Sequence, residues 1–113
     1  MASPARGEFW LTDFSPTKGH EQAGRRPALI ISDDRFNLGP SGLVIVLPLT
    51  TKRRGYPFHI EVSPQESGLK ETSFIIVDQI RTVSKDRLLR LLGQAATPYI
   101  DEIEEAMRIL LAL

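Results

Sequence analysis

The chain has 113 residues, 42% hydrophobic and 25% charged, with no cysteine, two histidines and a formal net charge of zero. This size and mixture fit one soluble globular domain, and they exclude a disulfide framework, a thiolate nucleophile and a thiolate metal site. The zero total hides an uneven spread: residues 1–54 carry eight Lys/Arg against five Asp/Glu, residues 55–96 five of each, and residues 97–113 one against four, so the first half keeps a local basic surface because charges act over about one Debye length, ~8 Å.

In chain order, residues 7–13 (GEFWLTD) alternate as a first strand, which Ser15-Pro16 ends. Phe9 and Trp10 read as core, one of them a candidate for base stacking. A polar, glycine-containing loop over 15–25 leads to a strand over 27–32 and then a turn with one helical turn over 33–40. Residues 41–49 (SGLVIVLPL) are the most apolar strand, with Pro48 predicting a bulge or an edge. A basic loop, 52–57, precedes a strand over 58–62. A polar loop, 63–72, precedes a strand over 73–80 that ends in Asp78-Gln79. Ser84 caps a helical turn, and 88–94 fits helix or strand equally.

The last element is a helix: Thr97 as N-cap, Pro98 at the first helical position, acids from Asp101 to Glu105, and an apolar stripe of Ile100, Ile103, Met107, Leu110 and Leu111. Five or six short strands, mainly antiparallel, with one closing helix predict a small half-open β-barrel. No run reaches the roughly 18 apolar residues of a membrane helix, and the start MASPARGEFW lacks the apolar core of a signal peptide, so a cytoplasmic location is expected.

Residues 19–27, GHEQAGRRP, have the glycine spacing of a phosphate-cradling P-loop. Such a loop needs a lysine, a hydroxyl for Mg²⁺ and a following helix. Here Arg25-Arg26-Pro27 is followed by the strand-like Ala28-Leu29-Ile30-Ile31, so the nucleotide-binding reading fails.

Polar residues gather at strand ends in three sets: His20, Glu21, Gln22, Arg25 and Arg26; Thr50, Thr51 and Lys52; Asp78, Gln79 and Arg81. A curved sheet brings such ends to one rim. Arginine and lysine neutralise phosphate and a threonine hydroxyl donates to its oxygens, so the set suits a phosphodiester better than a peptide or glycoside. Taken singly, each has an ordinary reading. Lys52-Arg53-Arg54 is a solvated loop, His59 a strand-face residue, and Asp78 an acceptor for turn amides.

Together these residues resemble the MazF/PemK family of toxin endoribonucleases. The likeness runs through FWLTDFSPTKGHEQAGRRPALIISDDRFN, VLPLTTKRRGYPFHIEV and IIVDQIRTVSKDRL to the terminal helix, nearly the whole chain. It implies one toxin domain over 1–113, an SH3-like barrel with a C-terminal helix, and a homodimer. It also implies metal-independent, sequence-specific cleavage of single-stranded mRNA to a 2′,3′-cyclic phosphate and a 5′-hydroxyl, with no cofactor. A cognate antitoxin, whose flexible acidic segment covers the RNA groove, is the implied partner.

Carried over by residue, the resemblance makes Arg26 and Thr50 the catalytic pair, with Glu21 and His20 as proton-transfer candidates. Lys18, Gln22, Arg25, Thr51, Lys52, Arg53, Asp78, Gln79 and Arg81 become RNA contacts. The Kid/PemK branch has an arginine two residues before the aspartate. This chain has Ile76 there, which favours an Arg-Thr site over one built on Asp78. Two alternatives remain: a CcdB-like toxin of the same barrel that poisons DNA gyrase, and a catalytically inactive RNA-binding module.

Overall fold

The computed structural model describes residues 3–16, 18–21 and 23–113. Among them the strands are β1 (Glu8–Asp13), β2 (Arg25–Ile30), β3 (Leu43–Thr50), β4 (His59–Val62), β5 (Ser73–Ile76), β6 (Arg81–Ser84) and β7 (Leu88–Gln94). The helices are α1 (Asp34–Asn37) and α2 (Thr97–Leu111), and short 3₁₀ turns cover Pro64–Glu66, Val77–Gln79 and Lys85–Arg87. The strands pair antiparallel in the order β4-β5-β3-β2-β1-β7, with β6 also on β3. Among the described residues the sheet does not close, so the barrel is half open.

Side chains alternate across a strand, and here both sets are put to use. Leu29 on β2, Leu47 and Leu49 on β3, Ile75 on β5 and Ile60 and Val62 on β4 face α2, which buries Ile103 among them and packs Ile100, Met107 and Leu110 against the same core. Ala28 and Ile30 on β2 and Val44 and Val46 on β3 face the other way, against Trp10, Phe14, Val83 and Leu88. Burying a side chain such as Ile103 contributes about 1.5–3 kcal/mol. Trimming Ile103 to alanine would cost about 2–5 kcal/mol, because the cavity adds to the lost burial.

Several sequence expectations are corrected. Phe9 and Trp10 are both buried, so neither is open to a base. Pro48 is neither at an edge nor exposed: it pairs with Ala28 where β3 has finished its ladder to β6 and not yet begun that to β5. A residue without an N–H is tolerated at that change of partner.

The strand over 73–80 stops at Ile76, and Asp78 and Gln79 stand on a 3₁₀ turn instead. Residues 88–94 are strand, pairing with β1 through two register shifts. Ala96, not Thr97, is the N-cap of α2, because its carbonyl is the first to accept, from Tyr99 and Ile100. Leu111, the last residue of α2, is exposed rather than part of the packed stripe. Ser84 does cap its turn, accepting from the Asp86 amide at 3.3 Å.

Candidate functional site

Arg26 sits on β2 opposite Thr12. Ala28 pairs with Pro48, and alternation puts Arg26 and Thr50, each two residues from that rung, on the face opposite α2. The Arg26 side chain is pinned there. Its Nε donates to the Ala23 carbonyl at 2.9 Å and its Nη1 to the Leu49 carbonyl at 3.3 Å. A guanidinium has five N–H donors, so the Nη2 side remains for a ligand. Partial burial pushes the Arg26 pKa below its usual value.

Thr50 is buried at the end of β3, and its Oγ1 accepts the Lys52 amide at 3.2 Å. That bond fixes the hydroxyl oxygen and leaves its proton to be donated. Arg26 and Thr50 open on one cleft of about 250 Å³, lined also by Arg25, Pro27, Leu49, Thr51 and Ser73.

A second cleft, about 190 Å³, lies beside it and is lined by Glu21, Pro48, Asp78, Gln79, Ile80 and Arg81. Glu21 pairs with Arg81 at 3.7 Å, and the Arg81 guanidinium lies 5.2 Å from the Phe14 ring centre. Gln79 Nε2 donates to the His20 carbonyl at 3.1 Å, tying the 15–24 loop to the Val77–Gln79 turn. Pro48 lines the second cleft and Thr50 the first, and as alternate residues of β3 they share a face, so the clefts adjoin. The three polar sets of the sequence therefore meet at one rim, yet in two compartments.

Of the remaining residues singled out from sequence, Lys18, His20, Arg25, Thr51, Lys52 and Asp78 are exposed. Gln22 lies outside the described residues. Arg53 is held by Glu61 at 2.8 Å and lies 4.9 Å from the Phe74 ring centre. Ile76 is fully buried and pairs with His59, a position with no room for an arginine. Alternation does not single out Tyr56, which is exposed in the basic loop with its ring against His59. An aromatic among bases in a loop is the signal that finds it.

A larger groove of about 460 Å³, lined by Leu11, Leu69, Leu91 and Leu92 with Lys70 and Arg90, joins the Arg26 cleft at Pro27, Thr51 and Ser73. Its wall is mainly apolar, so it suits a phosphate less well than the smaller clefts do.

Residues 5–111 match the family described as PemK-like, MazF-like toxin of type II toxin-antitoxin system. The chain is 34% identical over 109 residues to endoribonuclease EndoA of Bacillus subtilis (strain 168), covering 96% of this chain and 94% of that protein. It is also similar to the crystal structure of MazF from Deinococcus radiodurans, with a TM-score of 0.88 and 30% identity over the whole of both chains. An endoribonuclease in complex with its cognate antitoxin, from a mycobacterial species, matches with a TM-score of 0.80 and 27% identity, covering 100% of this chain and 97% of that one.

Proposed function

Because the chain belongs to the PemK-like, MazF-like toxins of type II toxin-antitoxin systems, we propose that it is an endoribonuclease that cuts single-stranded mRNA in the cytoplasm at a short recurring sequence, without a metal. The observation that carries this reading is the shared cleft of Arg26 and Thr50, where a pinned guanidinium and a fixed hydroxyl face the same space.

The reaction is in-line attack of a ribose 2′-oxygen on the adjacent phosphorus. The new bond closes a 2′,3′-cyclic phosphate while the bond from phosphorus to the 5′-oxygen breaks, leaving a 5′-hydroxyl. The step needs a base for the 2′-proton, an acid for the 5′-oxygen, and donors for the crowded equatorial oxygens. Arg26 supplies positive charge and the proton for the leaving oxygen. Thr50 donates its hydroxyl proton to an equatorial oxygen. Glu21 or His20, on the adjoining loop, takes the 2′-proton. Lys18, Gln22, Arg25, Thr51, Lys52, Arg53, Asp78, Gln79 and Arg81 contact the strand on either side.

The chain acts as a homodimer and is held inactive by an antitoxin with an acidic segment. The complexed mycobacterial structure supports the antitoxin as partner. The purified chain incubated with a long transcript in EDTA should cut at a recurring word and leave cyclic phosphate ends. Uncut RNA sinks the reading. Near-normal cleavage by Arg26→Ala, with none from His20→Ala and Glu21→Ala, would reverse the assignment of roles.

A further inference from the structure

The loop between β3 and β4 runs from the Arg26 cleft, where Thr51 still lines it, to His59, whose partner on β5 is Ile76. Three features fix its far end. The Tyr56 carbonyl accepts the His59 amide at 3.1 Å, closing a turn in which Pro57 takes the position that favours proline. The Tyr56 and His59 rings meet edge to face, with centres 5.0 Å apart at 74°. The Phe58 carbonyl accepts the Val77 amide at 3.0 Å, which ties this turn to the one that carries Asp78 and Gln79.

Tyr56 is nonetheless 55% exposed, more than any other described Phe, Tyr or Trp. A solvated tyrosine with no task would not need an aromatic brace, a proline turn and an anchor to the Val77–Gln79 turn. Paired rungs Thr50–Phe74 and Phe74–Glu61 run across β3, β5 and β4. By alternation His59 shares the face of Glu61, Phe74 and Thr50. Adjacent strands are about 4.8 Å apart, so β4 lies roughly 10 Å from β3 on the face that opens to the Arg26 cleft. Arg53, over Phe74 and paired with Glu61, stands between them as a fixed cation. A cation for a phosphate and an open ring for a base, side by side on a basic loop, are the elements of single-stranded nucleic acid binding.

We propose that Tyr56 is a stacking platform for one base of the RNA, with His59 as the positioning residue that braces it and Arg53 on the neighbouring phosphate. The proposal rests on the ribonuclease reading of the same face, and it adds a nucleotide subsite to that reading. Because the ring is already held, binding a base orders little that was free. Stacking of this kind tolerates different bases, so the subsite adds affinity at one position of the strand rather than a hydrogen-bonded letter.

The test uses a fluorescein-labelled RNA of about 20 nucleotides carrying 2′-O-methyl groups, which bind without offering the attacking hydroxyl; affinity is read by anisotropy. Tyr56→Ala and Tyr56→Leu should each weaken binding by about tenfold, and Tyr56→Phe by less than about threefold. A single abasic site moved along the RNA should cost the wild-type chain affinity at one position where Tyr56→Ala feels no loss. His59→Ala should lose part of the affinity, His59→Phe should restore it, and neither should matter once Tyr56 is alanine.

Wild-type affinity in Tyr56→Ala and Tyr56→Leu overturns the proposal. So do abasic losses that are the same in both backgrounds, or no binding by the wild-type chain. Cleavage of the unmodified RNA separates the two readings. Binding that depends on Tyr56 without any cleavage would leave the subsite standing and remove the nuclease, whereas equal binding and cleavage by Tyr56→Ala would do the reverse.

Discussion

Arg26 and Thr50 stand on neighbouring strands in the middle of the sheet, whereas Glu21, His20 and Lys18 stand on the loop before β2 and Lys52 to Tyr56 on the loop after β3. The strand pair is held by backbone carbonyls and a backbone amide. The loop before β2 is held less closely, as by Glu21 to Arg81 at 3.7 Å, whereas the loop after β3 is held at Arg53 by Glu61 at 2.8 Å and at Tyr56 by the His59 amide. On the proposed function, the charge and the hydroxyl that meet the phosphorane oxygens are carried on the rigid part, and the proton acceptor and most contacts with the strand on the loops. Substitutions of Arg26 and Thr50 should therefore slow cleavage at every RNA word, and substitutions on the loops other than at His20, Glu21 and Tyr56 should change which words are cut.

The largest effect sharpens the strand side. Arg26→Ala should reduce the single-turnover cleavage rate by about 10³-fold, and Arg26→Lys should not recover it, because a lysine cannot reproduce the planar fork. Loss of rate at some words only would break the comparison. Next, Thr50→Val should slow cleavage by about 10²-fold and cost about 1 kcal/mol of stability in urea unfolding, since the Lys52 amide loses its acceptor. Thr50→Ser should keep most of both.

On the loop side, one of Glu21→Gln and His20→Gln should lower the single-turnover rate by about 10²-fold and the other by less than tenfold. Equal, small losses would mean that the 2′-proton goes elsewhere.

A smaller effect concerns pH. Burial holds the His59 imidazole below its ordinary value of 6.5, with Asp78 opposing and Arg54 assisting. Its buried Nδ1 has no partner among the described residues. A folded-state pKa below the unfolded one means that protons favour the unfolded chain. His59 therefore contributes fully above the unfolded value of about 6.5, and its contribution falls as pH drops from there through the lower folded value. Melting temperatures between about pH 7.5 and 5 should show that decline and should lose part of it in His59→Phe. The smallest effect is Lys52→Ala, which should flatten the salt dependence of RNA binding by about 0.7 in logarithmic slope.

Much of this was legible from residue order. Alternation gave the early strands, the spacing of Ile100, Ile103 and Met107 gave the helix, and GHEQAGRRP with the threonine at the end of VLPLT gave the residues of the main cleft. What was not legible depends on contacts made far along the chain. Pro48 reads as an edge signal because sequence cannot show that β3 exchanges β6 for β5 at that point. The split into two clefts follows from the same exchange. The strand Leu88–Gln94 was ambiguous because Leu89 and Leu91 are exposed, which blurs the alternation. Arg53 is the solvated charge that the sequence suggests, but its ion pair with Glu61 and its contact with Phe74 were not legible because neither is near it in sequence.

The two bonds that close the base of the 15–24 loop have a consequence for how such chains diverge. Phe14 donates to the Gly24 carbonyl at 2.9 Å, and Arg26 grips the Ala23 carbonyl at the same distance. The segment between is thus a cassette clamped at its stem, with Gly24, whose carbonyl is part of the clamp, turning at φ 75°. Residues can be exchanged, added or removed in the cassette while the guanidinium keeps its station. On the proposed function, a descendant of this chain could acquire a new RNA word by rewriting the cassette around His20 and Glu21, with Arg26 and Thr50 inherited unchanged.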